Sequence, residues 1–403
     1  MNRALEDRPK SPTEVAALPQ ERKKVVRIVT RLNVGGPSIH TVLLTALLSP
    51  DRYDSVLVTG SEGPTEGSMR YLAEEKGVSL ETIPELGREI FWVDDLVALF
   101  KLIATMRREK PEIIHTHTAK AGTLGRIAAI VALWGRRRQI FHTFHGHVFH
   151  GYFSPLKSRL FILVERFLAS FTDQIIAVSE RTRDDLIRYR IAPPSKVKCI
   201  PLGLDLDRFA DCERLRGRLR AEIGVSAETK LVGIVARLVP IKAIDLFLRA
   251  ARLIRDSGAQ VRFVIVGDGE LRTDLEAQAR SLALAGDVLF LGFRQDLDLI
   301  YADLDVAVLC SNNEGLPVSV IEAMSSGCAV VATSVGGVPN LIRDGVTGRL
   351  VQPGDPIALA DCLQEVLVFG DELQEMRRNA REFALSNFHV SRLVGDIDRL
   401  YSG

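Results

Sequence analysis

Two carboxylates, Glu314 and Glu322, stand eight positions apart in Ser311-Asn-Asn-Glu-Gly-Leu-Pro-Val-Ser-Val-Ile-Glu-Ala-Met-Ser-Ser-Gly327. The run before them, Leu304-Asp-Val-Ala-Val-Leu-Cys310, reads as a strand, and Pro317 suits a first helical turn. Glu314 then falls in a strand-to-helix loop and Glu322 within the following helix. In open α/β sheets such loops line the ligand crevice at the strand ends. Two carboxylates there, with Gly315 exposing backbone N–H groups between them, can hold a polyhydroxylated ligand by its hydroxyls. The plainer reading makes Glu322 a solvated helix residue and Glu314 a partner of the helix dipole.

Cations with the complementary chemistry lie upstream, in Gly233-Ile-Val-Ala-Arg-Leu-Val-Pro-Ile-Lys242. Arg237 follows a strand and Lys242 opens a helix. Together they can neutralise a diphosphate, the guanidinium as a fork and the ammonium as a point charge. Two ordinary surface cations would look the same. Glycine turns follow strands at Gly35-Gly36 and at Gly267-Asp-Gly269. Both let a backbone approach an anion or nucleotide closely, although such turns also simply end strands. The first lacks the GxGxxG order and any Walker lysine, so a dinucleotide or P-loop site is disfavoured.

Six of the eight histidines fall between His115 and His150. Neither cysteine partners nor an HExxH pattern accompanies them, so no metal is expected. His145 is the functional candidate, because it follows a strand and precedes Gly146, which would turn its imidazole to the crevice. There it would position or polarise an acceptor hydroxyl. His142 and His150 read as core or capping residues. Asp205-Leu-Asp207 is formally a DxD, but it lies in a linker and is given no metal.

The elements that must position these residues alternate short β-branched runs with amphipathic stretches, as a doubly wound parallel sheet requires. Strands are predicted at 25–30, 55–58, 112–115, 139–143, 174–178 and 197–200. Helices are predicted between them at 38–48, 93–109, 123–134, 156–170 and 181–188. A second series places strands at 231–236, 261–266, 288–291, 306–309, 329–332 and 348–351, with helices at 243–255, 271–283, 318–325 and 357–367. Pro and Gly punctuate 201–209, where the linker is placed. The expected organisation is a disordered tail (1–22), two Rossmann-like domains (23–203 and 204–385), to which the resemblance set out below gives acceptor and donor roles in that order, and a C-terminal helix (386–403) able to cross back to the first. The whole of 371–401 reads as helical.

Bulk properties exclude several classes. A chain of 403 residues with 46% hydrophobic and 26% charged residues is an ordinary globular protein, and its net charge of +1 gives no bias towards nucleic acid. Residues 1–200 carry about +8 and the remainder about −7. Five cysteines without CxxC spacing fit a reduced, cytoplasmic setting. No signal peptide or membrane-spanning run is expected. The amphipathic stretch 156–168 and Arg136-Arg-Arg138 allow a peripheral position on the inner face of the cell membrane. A helix packed on its sheet is the commoner explanation of such a stretch.

Taken together these motifs resemble the retaining GT-B glycosyltransferases of family 4, over roughly residues 25–385. The resemblance is strongest at the EX7E block, Glu314 to Glu322, followed by Val335-Gly-Gly-Val-Pro-Asn-Leu-Ile and Asp344-Gly-Val-Thr-Gly348. It implies two Rossmann-like domains facing a central cleft. By position, Arg237 and Lys242 would bind the donor diphosphate, Glu322 the nucleotide ribose and Glu314 the donor sugar. Gly315, Leu316 and Pro317 would wrap the sugar and phosphate, with Gly35 and Gly36 facing them from the first domain. His145 would sit near the reacting centre and Gly267 and Gly269 beside the nucleotide, with Phe293 and Arg294 as weaker candidates for the base. The family often has Gly where this chain has Ala243.

The implied reaction moves a sugar from a nucleotide-diphosphate donor, with UDP-sugar as the leading choice, to a hydroxyl of a saccharide or lipid-linked acceptor. Neither a cofactor nor a metal is implied, because the cations and helix N-termini would carry the leaving-group charge. A UDP-sugar 2-epimerase of similar fold and a non-catalytic nucleotide-sugar binder are the alternatives.

Overall fold

Runs such as Val261–Val266 and Val306–Leu309 are apolar on both sides of the pleat, which suits strands covered on both faces. The computed structural model describes residues 21–63, 67–87, 89–146 and 155–403, with side chains from 159 onward in the last segment. The tail 1–20, His147 and His150 lie outside the described residues. So do the first side chains of the 156–168 stretch.

The first sheet holds β1 (Lys23–Val29), β2 (Tyr53–Thr59), β3 (Leu80–Thr82), β4 (Ile113–His117), β5 (Gln139–Phe144), β6 (Gln174–Ala177) and β7 (Val197–Cys199). Its order is β3-β2-β1-β4-β5-β6-β7, parallel throughout. The helices between these strands are α1 (Gly36–Leu47), α2 (Arg70–Glu75), α3 (Trp92–Glu109), α4 (Ala119–Ala132), α5 (Pro155–Ser170) and α6 (Glu180–Arg188). Alternate strand residues sort to opposite faces. Val26, Ile28, Ile114 and Ile140 meet α3 and α4, whereas Val25, Ile113 and Phe141 meet α1.

The linker region carries α7 (Asp207–Ala210) and α8 (Arg218–Glu222). The second sheet follows, with β8 (Lys230–Val235), β9 (Val261–Val266), β10 (Val288–Gly292), β11 (Val306–Leu309), β12 (Ala329–Thr333) and β13 (Arg349–Val351). Its order is β10-β9-β8-β11-β12-β13, again parallel. Its helices are α9 (Ile244–Asp256), α10 (Arg272–Ser281), α11 (Leu297–Asp303), α12 (Val318–Ser325), α13 (Pro356–Val368), α14 (Asp371–Phe388) and α15 (Val390–Ser402). The expected two-domain, parallel-sheet architecture is present.

Five short elements escape the periodicity: β3, α2, α7, α8 and α11 span too few residues to show a period. The long C-terminal helix is instead two helices, broken at His389, whose extended backbone cannot continue a helix and whose side chain caps α15 by accepting from Ser391 N–H. At that break the chain runs beside the linker. Leu204 N–H donates to Phe388 O at 2.8 Å and Val390 N–H to Leu204 O at 2.8 Å. Gly203 makes the approach possible, since a Cβ there would lie 2.5 Å from Leu393 Cβ. Beyond it Leu393, Ile397, Leu400 and Tyr401 pack into the core of the first sheet beside Val25 and Phe141.

Candidate functional site

β11 ends at Leu309 and α12 begins at Val318, so Glu314 lies in the connecting loop and Glu322 on the helix. Pro317 takes the cap position just before the helix. Behind the loop, Gly336 and Gly337 press against its backbone. A Cβ on Gly336 would fall 1.8 Å from Glu314 O, and Gly337 N–H donates to the same oxygen at 3.0 Å. With φ at +54°, Gly336 also holds a conformation that other residues resist.

Glu314 is not free. Lys242 Nζ lies 2.5 Å from its Oε1, and Ser311 Oγ donates to that oxygen at 2.5 Å. Both members of the ion pair are largely covered. Arg237 behaves differently: it is exposed, and its guanidinium has no ion-pair partner among the described residues. Its loop is held from behind by the other glycine turn. A Cβ at Gly267 would sit 1.9 Å from Ala236 O, and one at Gly269 2.5 Å from Leu238 O. Close backbone packing therefore accounts for both glycines. Ala243, just after Lys242, has φ +46° and ψ +47°, a left-handed conformation that glycine adopts without strain.

Glu322 is 6% exposed, not a solvated helix residue. Burial pushes its carboxyl up to about 7, against the opposing pull of Arg208 and the nearby Tyr301 hydroxyl, which itself donates to Ser319 O at 3.0 Å. A half-charged buried carboxyl is suited to accepting from hydroxyl donors. Phe293 is 48% exposed, which leaves its ring face available. Arg294 is turned away from such a role: Glu222 and Asp296 hold its guanidinium at 2.5 and 2.6 Å.

The first domain meets this loop directly. Gly36 opens α1, and a Cβ on it would lie 3.2 Å from Val318 Cγ2 at the start of α12. The N-terminal ends of the two helices thus come together, and each favours a nearby anion. Arg181 Nη1 donates to Gly336 O at 2.7 Å across the same boundary. His145 follows β5, and a Cβ on Gly315 would come within 3.5 Å of His145 O. Its imidazole Nε2 is 2.9 Å from His117 Nδ1, so the ring is held by a neighbour rather than aimed freely at the cleft. Burial pushes the His145 imidazole down to about 3, so it is neutral at physiological pH.

Of the remaining histidines, His142 is a core residue bonded through Nδ1 to Thr116 Oγ1 at 2.8 Å. His115 spans Tyr401 OH at 2.7 Å and Thr143 Oγ1 at 2.8 Å. His40 and His117 join His145 in a cluster that spacing in the chain did not reveal. His40 stands on α1, remote in sequence from the others. The signal available for it was its place one turn after the glycine loop.

Two family descriptions match this chain. Glycosyl transferases group 1 matches residues 216–383, and Glycosyltransferase Family 4 matches residues 34–208. Among curated proteins, the Escherichia coli UDP-Gal:alpha-D-GlcNAc-diphosphoundecaprenol alpha-1,3-galactosyltransferase is 31% identical over 360 residues, covering 88% of this chain and 90% of that protein. A D-inositol 3-phosphate glycosyltransferase of Actinosynnema mirum is 32% identical, covering 63% and 64% of the two chains. In fold, Anabaena Alr3699/HepE in complex with UDP and glucose superposes with a TM-score of 0.80 at 24% identity, over 95% of this chain and 100% of that one.

Proposed function

This chain belongs to the group 1, family 4 glycosyltransferases, and from that premise we propose a retaining enzyme that moves a sugar from a UDP-sugar to a saccharide carried on a lipid. It is a transferase acting on nucleotide sugars, so the epimerase and the non-catalytic binder are set aside. The observation that carries this reading is the approach of α1 to the start of α12, beside the loop that holds the Lys242–Glu314 pair.

In this reading the donor diphosphate enters between the two helix N-termini and takes over Lys242 from Glu314. Arg237, already unpaired, closes on the same phosphates. Glu314 is thereby released to accept from hydroxyls of the sugar, while Glu322 accepts from the ribose. The C1–phosphate bond then breaks, and its electron pair goes to the diphosphate, where the cations stabilise it. The acceptor oxygen bonds to C1 on the same face, and its proton passes to the departing phosphate oxygen. His145, neutral and cleft-lining, would orient the acceptor or the sugar. No step in this scheme needs a metal or a cofactor.

A lipid-borne acceptor is supported by the relative named for a diphosphoundecaprenol substrate and by one surface of the first domain. The outer sides of α3, α4 and α5 expose large apolar residues, among them Trp92 at 80%, Trp134 at 77%, Phe100, Leu163 and Phe167. Arg136, Arg137 and Arg159 are exposed beside them. The inner side of α5 does pack on its neighbours, burying Leu168 and the Glu165–Arg126 ion pair. One helix thus serves both readings of its amphipathic stretch. No described helix is long and apolar enough to cross a membrane. Tryptophan with arginine at such a face suits the bilayer interface.

A screen of UDP-, GDP- and ADP-sugars by thermal shift tests the donor, with NMR of the product testing retention. Stabilisation by a UDP-sugar and an unchanged anomeric configuration are expected. A response confined to another base, or inversion, overturns the reading. Co-flotation with anionic vesicles, reduced in Trp92→Ser/Phe100→Ser, tests the membrane surface, and flotation unaffected by the change refutes it.

A further inference from the structure

His40 from α1, His117 at the end of β4 and His145 after β5 each offer a ring nitrogen, and these atoms all lie within 4.8 Å of one another. The elements explain the meeting. β4 and β5 are adjacent, with His117 in register with Thr143, and α1 carries His40 over their ends. Three of the nitrogens have no use in the fold: His40 Nδ1, His40 Nε2 and His117 Nε2 are buried without a hydrogen-bond partner among the described residues. His40 is 1% exposed and His117 is fully covered. Leaving such atoms unsatisfied in the interior is costly. A neutral imidazole carries one N–H and one lone pair, so His40 brings one uncommitted lone pair to the cluster whichever tautomer it adopts.

We propose that His40, His117 and His145 form a binding site for a divalent transition cation of the zinc class. Three neutral imidazoles with one position left open are an established donor set for Zn²⁺, and cysteine is not required. The hydrogen bond between His117 Nδ1 and His145 Nε2 at 2.9 Å already holds these two rings together, and both lie edge-on to the His40 ring. The nearby guanidinium of Arg27 opposes a second positive charge, which makes the site weaker than a charge-free one.

This departs from the metal-free expectation drawn from cysteine and HExxH patterns. It does not alter the transfer chemistry above, which runs without the ion. Occupancy would instead fix the His145 ring on the cation, away from substrate. The site is therefore inhibitory, and that part alone rests on the role proposed for His145.

The test uses the full, tag-free chain, stripped with chelator and titrated with Co²⁺ and Zn²⁺. The expected result is one equivalent of Co²⁺ with intense visible absorption of a low-coordinate complex. Affinity should fall more than about tenfold in His40→Gln and in His117→Gln. His389→Ala, outside the cluster, should bind as the parent does. Circular dichroism of each variant separates a lost ligand from a lost fold, and a folded His40→Gln or His117→Gln that binds normally overturns the site. So does a Co²⁺ spectrum no different from the ion in water. In transferase assays, Zn²⁺ should inhibit and chelator should restore activity. Binding without inhibition overturns the inhibitory role while leaving the site intact. A failure of the donor reading would leave the Co²⁺ spectrum unchanged, so the two proposals fail separately.

Discussion

The two walls of the cleft are built in different ways. On the second domain, the groups around Glu314 come from loops close together in the fold and bond one another before any ligand arrives, with Arg237 left exposed beside them. Lys242, Glu314 and Ser311 bond one another, and glycines at 267, 269, 336 and 337 let one backbone brace the next. On the first domain, the corresponding wall is gathered from α1, β4 and β5, and its histidines retain orphaned nitrogens. A braced wall suits the invariant part of a donor, its nucleotide and phosphates. A wall with unspent hydrogen-bonding capacity suits a group that varies, or an ion.

The largest effect expected from that contrast is catalytic. Arg237→Ala and Lys242→Ala should each lower kcat/KM for the donor by about a hundred- to a thousandfold. Steady-state kinetics would show whether the braced wall does bind the phosphates, and a change of less than about fivefold would break the comparison. Next comes the bracing itself. Gly336→Ala should cost about 3 kcal/mol or more, because a Cβ would strike Glu314 O and φ is positive. The same change at Gly36, whose neighbour across the boundary is the side chain of Val318, should cost less than about 1 kcal/mol. Urea denaturation of the two variants compares the walls directly, and equal losses would remove the distinction.

Glu322 sharpens the comparison through pH. Its carboxyl is raised in the folded chain, so its contribution is present in full below the ordinary value of 4.5 and is lost as pH rises through about 7. Glu322→Gln should therefore match the parent near pH 4 and exceed it by about 3 kcal/mol at pH 8, in the absence of ligand. The variant should still bind UDP-sugar more weakly. Stability curves that run parallel across this range would contradict the cause assigned here. Ala243→Gly, by contrast, relieves a left-handed alanine and should stabilise by about 1 kcal/mol. A loss of stability on thermal denaturation would mean that the strain is absent.

What could be read from sequence follows the same division. The second wall lies largely in one contiguous block, so Glu314, Gly315 and Glu322 were legible from their spacing and the strand before them. Burial of Glu322 was not, because apolar neighbours at Val320 and Ile321 do not say which way a helix faces. Nor was the ion pair of Lys242 with Glu314, whose members stand 72 positions apart. Arg294 looked available because its partner Glu222 is equally remote. The first wall needed the sheet order: only adjacency of β4 and β5 brings His117 beside His145, and only the crossover of α1 adds His40. The strand runs were clear in both halves. The break at His389 was hidden by a pattern that stays amphipathic on either side of it.

The return of α15 has a consequence for how the protein is made. The interior of the first sheet is sealed by Tyr401, whose hydroxyl meets His115 at 2.7 Å and Arg27 at 3.2 Å. A ribosome delivers β1 through β7 long before that helix exists. Until then the nascent first half carries an uncovered apolar furrow and an arginine that has Thr45 but lacks the Tyr401 hydroxyl. The second domain, closed on its own core, can fold while the first waits. Synthesis from the N-terminus thus inverts the usual order, and the half made first is the half finished last.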